Sequence, residues 1–195
     1  MKYSTGKTFC RIFKENACLI GRSFDDCVFE NCRFADCTFS DCRFSNCKFV
    51  KCALVNVRSE DTRMSFVSFE ECELVGISWL DFASGTLSFP IEKFEKCLLK
   101  YDLFENMNLK KFNFSGSVLA ETSFLQCDLS GSSFYGCTLS RTDFSSCDLR
   151  NADFKNAVGY DIDVTANKMR GAKFSSPDAL NLLRHFGIVI DENEK

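Results

Sequence analysis

The chain has 195 residues and a formal net charge of −3, enough length for one domain with a continuous core and too little positive charge for a nucleic-acid or membrane-surface binder. No stretch approaches the roughly 20 apolar residues of a membrane span. The opening Met1-Lys2-Tyr3-Ser4-Thr5-Gly6-Lys7 lacks the apolar run of a secretory signal, so a cytoplasmic location with reduced thiols is expected.

Two counts are abnormal, 22 Phe and 13 Cys, and internal repetition accounts for both. Residues 1–8 read as a lead-in, and residues 1–22 as a ragged start in which Phe9 and Leu19 are in register and Lys14 is not. From Cys27 the chain divides into CVFEN, CRFAD, CTFSD, CRFSN, CKFVK and CALVN, and later into CDLSG, SSFYG, CTLSR, TDFSS, CDLRN and ADFKN. Seventeen of the 22 Phe share one register of five, where random placement puts about a fifth of them. Eleven cysteines, from Cys27 to Cys147, sit two residues before a central Phe or Leu, and elsewhere that position holds residues such as Ser117, Thr122, Val57 or Ala152. The register runs from Phe9 to Phe174 with no apparent insertion.

A period of five fits neither a helix nor a flat strand. It requires a chain that turns a corner at every unit, with one small and one large side chain inside. Each coil leaves its apolar edge open, so coils must stack. Residues 82–96 are the least regular stretch: Phe82 stands at a small position, Ser84 at a large one, and Pro90 follows. Phe82 is expected to fill the space left by Ser84, in a local bulge or flattened corner, and Phe112 also occupies a small position. From Ser176 the character changes. Ser176-Pro177-Asp178 is a helix start. Leu180, Leu183 and Phe186 fall on one face, Gly187 ends the helix, and Ile188-Val189-Ile190 follows as an apolar run. A cap over the last coil is expected from residues 176–195.

The small–x–Phe/Leu–x–x unit over about residues 9–175 resembles the pentapeptide-repeat family. The resemblance implies an all-β fold, a right-handed quadrilateral parallel β-helix of four units per coil and about eight coils, with a short C-terminal α-helical cap. The ending SPDALNLLRHFGIVI resembles the cap of the Qnr, MfpA and McbG group. That implies a homodimer formed through Leu180, Leu183, Phe186, Ile188 and Ile190, and a type II topoisomerase such as DNA gyrase as partner. Qnr proteins of Gram-negative bacteria carry loops that break the register, and none is evident here.

No catalytic residues, metal ligands or cofactor are expected. The dominant cysteine spacing is the repeat itself rather than the paired spacing of zinc sites, and the single histidine, His185, lies on the cap. Cys10 and Cys18 fall outside the small-residue column and are the expected reactive thiols. With 20 residues per coil, Asp41, Asp61, Asp81, Tyr101, Glu121, Arg141 and Asp161 form one outward column, with Glu60 beside it. Stacked like charges cost stability. The column therefore reads either as a solvated wall with Asp placed for its corners, or as an imitation of DNA phosphates offered to a protein's basic groove. The function expected is a non-enzymatic DNA mimic that alters drug or toxin sensitivity, without direct contact to nucleic acid or membrane. The alternative is a passive scaffold or interaction rod.

Overall fold

The computed structural model describes residues 2–82, 90–176 and 178–188. The chain winds as a parallel β-solenoid of about eight turns with four walls. The small and the large residue of each unit point inward, and three-residue strands such as Thr38–Ser40 and Arg43–Ser45 are joined by two-residue corners. The corner residue of nearly every unit is left-handed, with φ 49° at Asp41 and Asp61, 52° at Lys51 and 58° at Tyr101. That conformation costs most L-residues roughly 1–2 kcal/mol and is tolerated best by Gly, Asn and Asp, which explains their abundance there. Gly76 has a second reason: a Cβ on it would lie 2.5 Å from Asn56 Oδ1 in the coil below.

The four walls are defined by their central residues. The first wall runs from Ser4 through Phe24, Phe44 and Met64, and resumes with Leu109, Leu129, Leu149 and Met169. The second is a ladder of Phe9, Phe29, Phe49, Phe69, Phe94, Phe114, Phe134, Phe154 and Phe174. The third starts at Lys14 and Phe34 and continues as Leu54, Leu74, Leu99, Leu119 and Leu139. The fourth carries Leu19, Phe39, Ser59, Trp79, Phe104, Phe124 and Phe144. In the ladder each ring stacks on the next at centroid distances from 4.7 to 5.9 Å.

The small residues do more than make room. Thr62 Oγ1 donates to Phe39 O (2.8 Å) and accepts from Cys42 N (3.1 Å), both in the coil below. Cys52 Sγ donates likewise to Phe29 O (3.3 Å) and accepts from Cys32 N (3.3 Å). A short side chain able to donate and accept thus satisfies the buried backbone groups at the corner, which strand pairing leaves open. Ser, Thr and Cys share that ability.

Three expectations are corrected. The solenoid begins at Lys2 rather than residue 9, because Lys2–Thr5 pairs in parallel with Arg22–Asp25. Its first coil is open, with Lys14 and Arg22 lining an apolar hollow of about 180 Å³ over Phe24 and Phe29. The register also contains an insertion. Partners are 20 residues apart on either side of it, but across it Phe69 pairs with Phe94, Leu74 with Leu99 and Val75 with Lys100, 25 residues on. One whole unit is added between Trp79 and Phe94, where Trp79–Phe82 leaves the wall as a 3-10 helix. An insertion of one unit leaves the five-residue pattern intact and shifts every later residue by one wall. Phe82 is buried against Trp79, whereas Ser84 lies outside the described residues.

The cap is a 3-10 helix, Asp178–Phe186, not an α-helix. With three residues per turn, Leu180, Leu183 and Phe186 do share a face, but it turns away from the rod: Leu180 is 47% exposed and Phe186 59%. The face toward the rod carries Leu182, packed against the core, and His185, whose Nε2 is 2.7 Å from Asp161 Oδ1. Ile188 is exposed, and Pro177 and Ile190 lie outside the described residues. At Gly159, where a central side chain is missing, Tyr160 turns inward and packs 5.4 Å from Phe174.

Phe124 is fully buried between the rings of Phe104 (4.7 Å) and Phe144 (5.0 Å). Phe124→Ala is expected to lower stability by about 3–5 kcal/mol in chemical denaturation followed by circular dichroism, and a loss below about 1 kcal/mol contradicts the stacked core.

Candidate functional site: an acidic wall

The inserted unit rearranges the predicted acidic column. Asp41 and Asp61 remain at the corner after the fourth wall, and Asp81 follows them on the 3-10 helix Trp79–Phe82, where its carbonyl oxygen accepts from Ser59 Oγ (3.0 Å). Tyr101, Glu121, Arg141 and Asp161 move to the corner before the fourth wall, where Gly76 N donates to Lys100 O (2.8 Å) and Tyr101 N to Ala120 O (3.1 Å). The column is therefore not continuous. Its two halves instead border one wall, whose flat carries four more acids, Glu60, Glu105, Asp143 and Asp163. Asp36, Asp41, Glu60, Asp61, Asp81, Glu105, Glu121, Asp143, Asp161 and Asp163 lie on this wall or its edges, against Arg58 and Arg141. All ten acids are exposed or half-buried. Arg141 neutralises Glu121 at 2.7 Å, and His185 from the cap meets Asp161. Hydrogen bonds from Thr165 hold the Asp163 carboxyl below the usual range.

The adjoining first wall has the opposite sign. Arg43, Arg63, Lys110, Arg150, Lys168 and Arg170 point outward there against Asp25, Asp128 and Asp148, the last two paired to Lys110 and Arg150. A net charge of −3 conceals this segregation.

Within the acidic wall lies a residue that sequence reasoning missed. Asp102 occupies a small inward position and is 1% exposed. Its Oδ1 accepts from Ile77 N (2.8 Å) and its Oδ2 from Trp79 Nε1 (3.3 Å). These bonds tie the coil with the extra unit to the regular coil above. Thr122 and Thr142 hold the same position in the next two coils and donate to Leu99 O and Leu119 O. The available signal was an acid in a column otherwise filled by small or apolar residues. Burial pushes the Asp102 carboxyl well above the usual range, partly offset by the Ile77 and Trp79 hydrogen bonds.

All thirteen cysteines are free, and eleven are buried. Burial pushes the thiols of Cys47 and Cys137 up to about 11. Cys10 is exposed, yet partial desolvation and the Glu30 carboxylate 3.6 Å away raise its value too, so it is not an activated thiolate. Among the described residues no group of three or more His, Cys, Asp or Glu side chains is placed to hold a metal ion, and no helix is long and apolar enough to cross a membrane.

The geometry defines a class, the four-walled parallel solenoid built on a five-residue unit. A family profile described as a pentapeptide repeat region matches residues 22–91, and one described as pentapeptide repeats in eight copies matches residues 103–136 and 127–158. The chain belongs to the pentapeptide-repeat family. Among solved structures it is similar to trypsin-treated QnrB1, a plasmid-mediated fluoroquinolone resistance protein, with 18% identity, 94% of this chain and 100% of that chain covered, and a TM-score of 0.54. It is also similar to HetL, a pentapeptide repeat protein involved in heterocyst differentiation regulation from the cyanobacterium Nostoc sp. strain PCC 7120, with 13% identity, 86% and 85% covered, and a TM-score of 0.50. At these identities the likenesses establish the fold. No curated protein matches the sequence at a significant level.

Two outcomes are expected. Ellman's reagent should titrate two thiols in the native protein, Cys10 and Cys18, and all thirteen after unfolding; rapid native reaction of more than two contradicts the buried columns. The raised carboxyl of Asp102 stabilises the fold in its neutral form. That contribution is complete below the unfolded value of about 4 and is lost as pH rises toward the folded value. The stability of the native chain relative to Asp102→Asn should therefore fall as pH rises above about 4, and parallel pH–stability curves for the two proteins contradict it.

Proposed function

We propose that this protein is a non-enzymatic binding rod whose acidic wall engages the basic, DNA-binding groove of a protein partner, with a type II topoisomerase such as DNA gyrase as the first candidate. The observation that carries this reading is the concentration of ten outward acids against two arginines on one wall of a rod whose total charge is −3. Acids at successive coils are spaced by about 4.8 Å. A row of that kind presents a repulsive potential to itself and an attractive one to a basic groove, and it speeds encounter with such a partner. The cost of stacking like charges is borne along most of the rod, while the neighbouring wall pairs its acids with Lys110 and Arg150. The name of QnrB1 makes fluoroquinolone sensitivity the natural first readout.

A passive interaction rod is the second reading. The observation that favours it is the left-handed φ of 49° at Asp41 and Asp61, which by itself explains Asp at those corners. It does not explain Glu60, Glu105 and Asp143, which lie on the flat of the wall in extended strands.

A gyrase supercoiling titration with and without a fluoroquinolone separates the two. The protein is expected to inhibit supercoiling or relieve the drug at micromolar concentration, with an effect that weakens as salt rises. Asp61→Lys, Asp81→Lys and Glu121→Lys combined should abolish it, while Arg43→Glu with Arg63→Glu on the first wall should leave it in place. Lys51 and Lys96 already hold the corner conformation of Asp61, so the folded rod tolerates lysine there. No effect at micromolar protein favours the passive rod.

A further inference from the structure

Among the described residues the third wall is the longest uninterrupted sheet, seven strands from Phe13–Glu15 to Thr138–Ser140. Its outward side chains differ from those of the other walls. Ala53, Val55, Val75, Leu98, Val118 and Ala120 lie on its outer face, exposed or half-buried. The second wall, by contrast, presents Lys48, Glu70, Lys93 and Glu95 joined by ion pairs of 2.7 to 2.8 Å. Apolar side chains gathered on a flat sheet mark an interaction surface.

The charges on this strip identify what covers it. Arg33 lies one coil before Ala53, and Glu73 one coil after it, in the same outward row. Glu15 lies two coils before Val55, and Lys100 two coils after it, in the other row. Among the described residues none of these four forms an ion pair within the chain. A two-fold axis along the strand direction at the third coil reverses the rod and keeps each row on itself. Arg33 then faces Glu73 of a second copy, Glu15 faces Lys100, Phe13 (68% exposed) faces Leu98, and Ala53 and Val55 each face their own equivalents. Each charged match occurs twice, as an isologous contact requires. At the border Lys51 approaches its own equivalent, but Glu71 of the same chain lies 3.7 Å from it and offsets the charge.

We infer that a second copy of this chain docks face to face on the third wall, the two rods antiparallel and the axis passing through Ala53 and Val55. The acidic fourth wall stays open in this arrangement, one on each side of the pair. Five coils at about 4.8 Å make a strip roughly 20 Å long, a small interface of the weak, concentration-dependent class. The exposed Leu180, Phe186 and Ile188 of the cap are the competing surface, on a helix with Asp178 in its first turn and Arg184 in its last.

Sedimentation velocity on the full chain from about 1 to 200 µM tests this. A concentration-dependent dimer is expected. Arg33→Glu alone and Glu73→Arg alone should each weaken it at least about tenfold, since each places two pairs of like charges across the axis. Mixing the two variants should restore a dimer. In the mixed species the introduced glutamate of one chain faces the introduced arginine of the other, and the unchanged Glu73 of the first faces the unchanged Arg33 of the second. Thermal melting of each variant confirms that it is folded. A chain that stays monomeric throughout overturns the inference and leaves the wall to another occupant. A dimer that ignores both swaps and breaks with Phe186→Asp also overturns it, and places the contact at the cap.

Discussion

Stacking of one central side chain directly on its counterpart in the next coil is the constraint on which this structure depends. Nine phenylalanines run along the second wall from Phe9 to Phe174 with ring centroids never more than 5.9 Å apart. That ladder fixes the rise per coil and the azimuth of every unit. Once the azimuth is fixed, the inward small residue, the left-handed corner and the outward pair of each unit follow. Even the extra unit obeys the constraint: the chain departs at Trp79–Phe82 and returns so that Phe94 falls on Phe69. Asp102, reaching down to Ile77 N and the Trp79 indole, fastens that return.

The extra unit also decides what surface the rod presents. With an unbroken period of 20, Asp41 to Asp161 would form a single charged line along one corner. Displaced by one wall after Trp79, the second half of that line lies across the fourth wall from the first, with Glu60, Glu105 and Asp143 between them. A line becomes a face, and a basic first wall adjoins it. Charge segregation of this kind is invisible to net charge and is the feature from which partner binding is argued. The third wall, largely apolar and bearing four charges that form no ion pair among the described residues, is a separate surface on which the same rod is proposed to meet a copy of itself.

The repeat itself was legible because two residue types, Phe and Cys, mark two fixed positions in every unit. The burial of Cys32, Cys52 and Cys72, the inward Phe82 and the start of a helix near Asp178 were legible from the same alternation and from helix-start chemistry. What the sequence could not reveal was position modulo a whole coil. An insertion of five residues in a pattern of five leaves no mark on the pattern, so the wall assignments of residues after Trp79 were displaced by one. In the cap the helix type and the rod-facing residues were not legible: Leu180, Leu183 and Phe186 share a face in either helix type, and only tertiary contact shows that Leu182 and His185 face the rod. Asp102 did carry a signal, an acid in a column of small and apolar residues, and Gly159 pointed to a missing side chain without showing that Tyr160 turns inward to replace it.

The wall assignment after the extra unit is the central claim, and backbone nuclear Overhauser contacts in the isotopically labelled protein test it most directly. Parallel pairing of Glu73–Val75 with Leu98–Lys100 predicts contacts between the backbone protons of Val75 and those of Lys100 and Tyr101. Contacts from Val75 to Glu95 and Lys96 instead would mean an unbroken period of 20, a single acidic column and no acidic face.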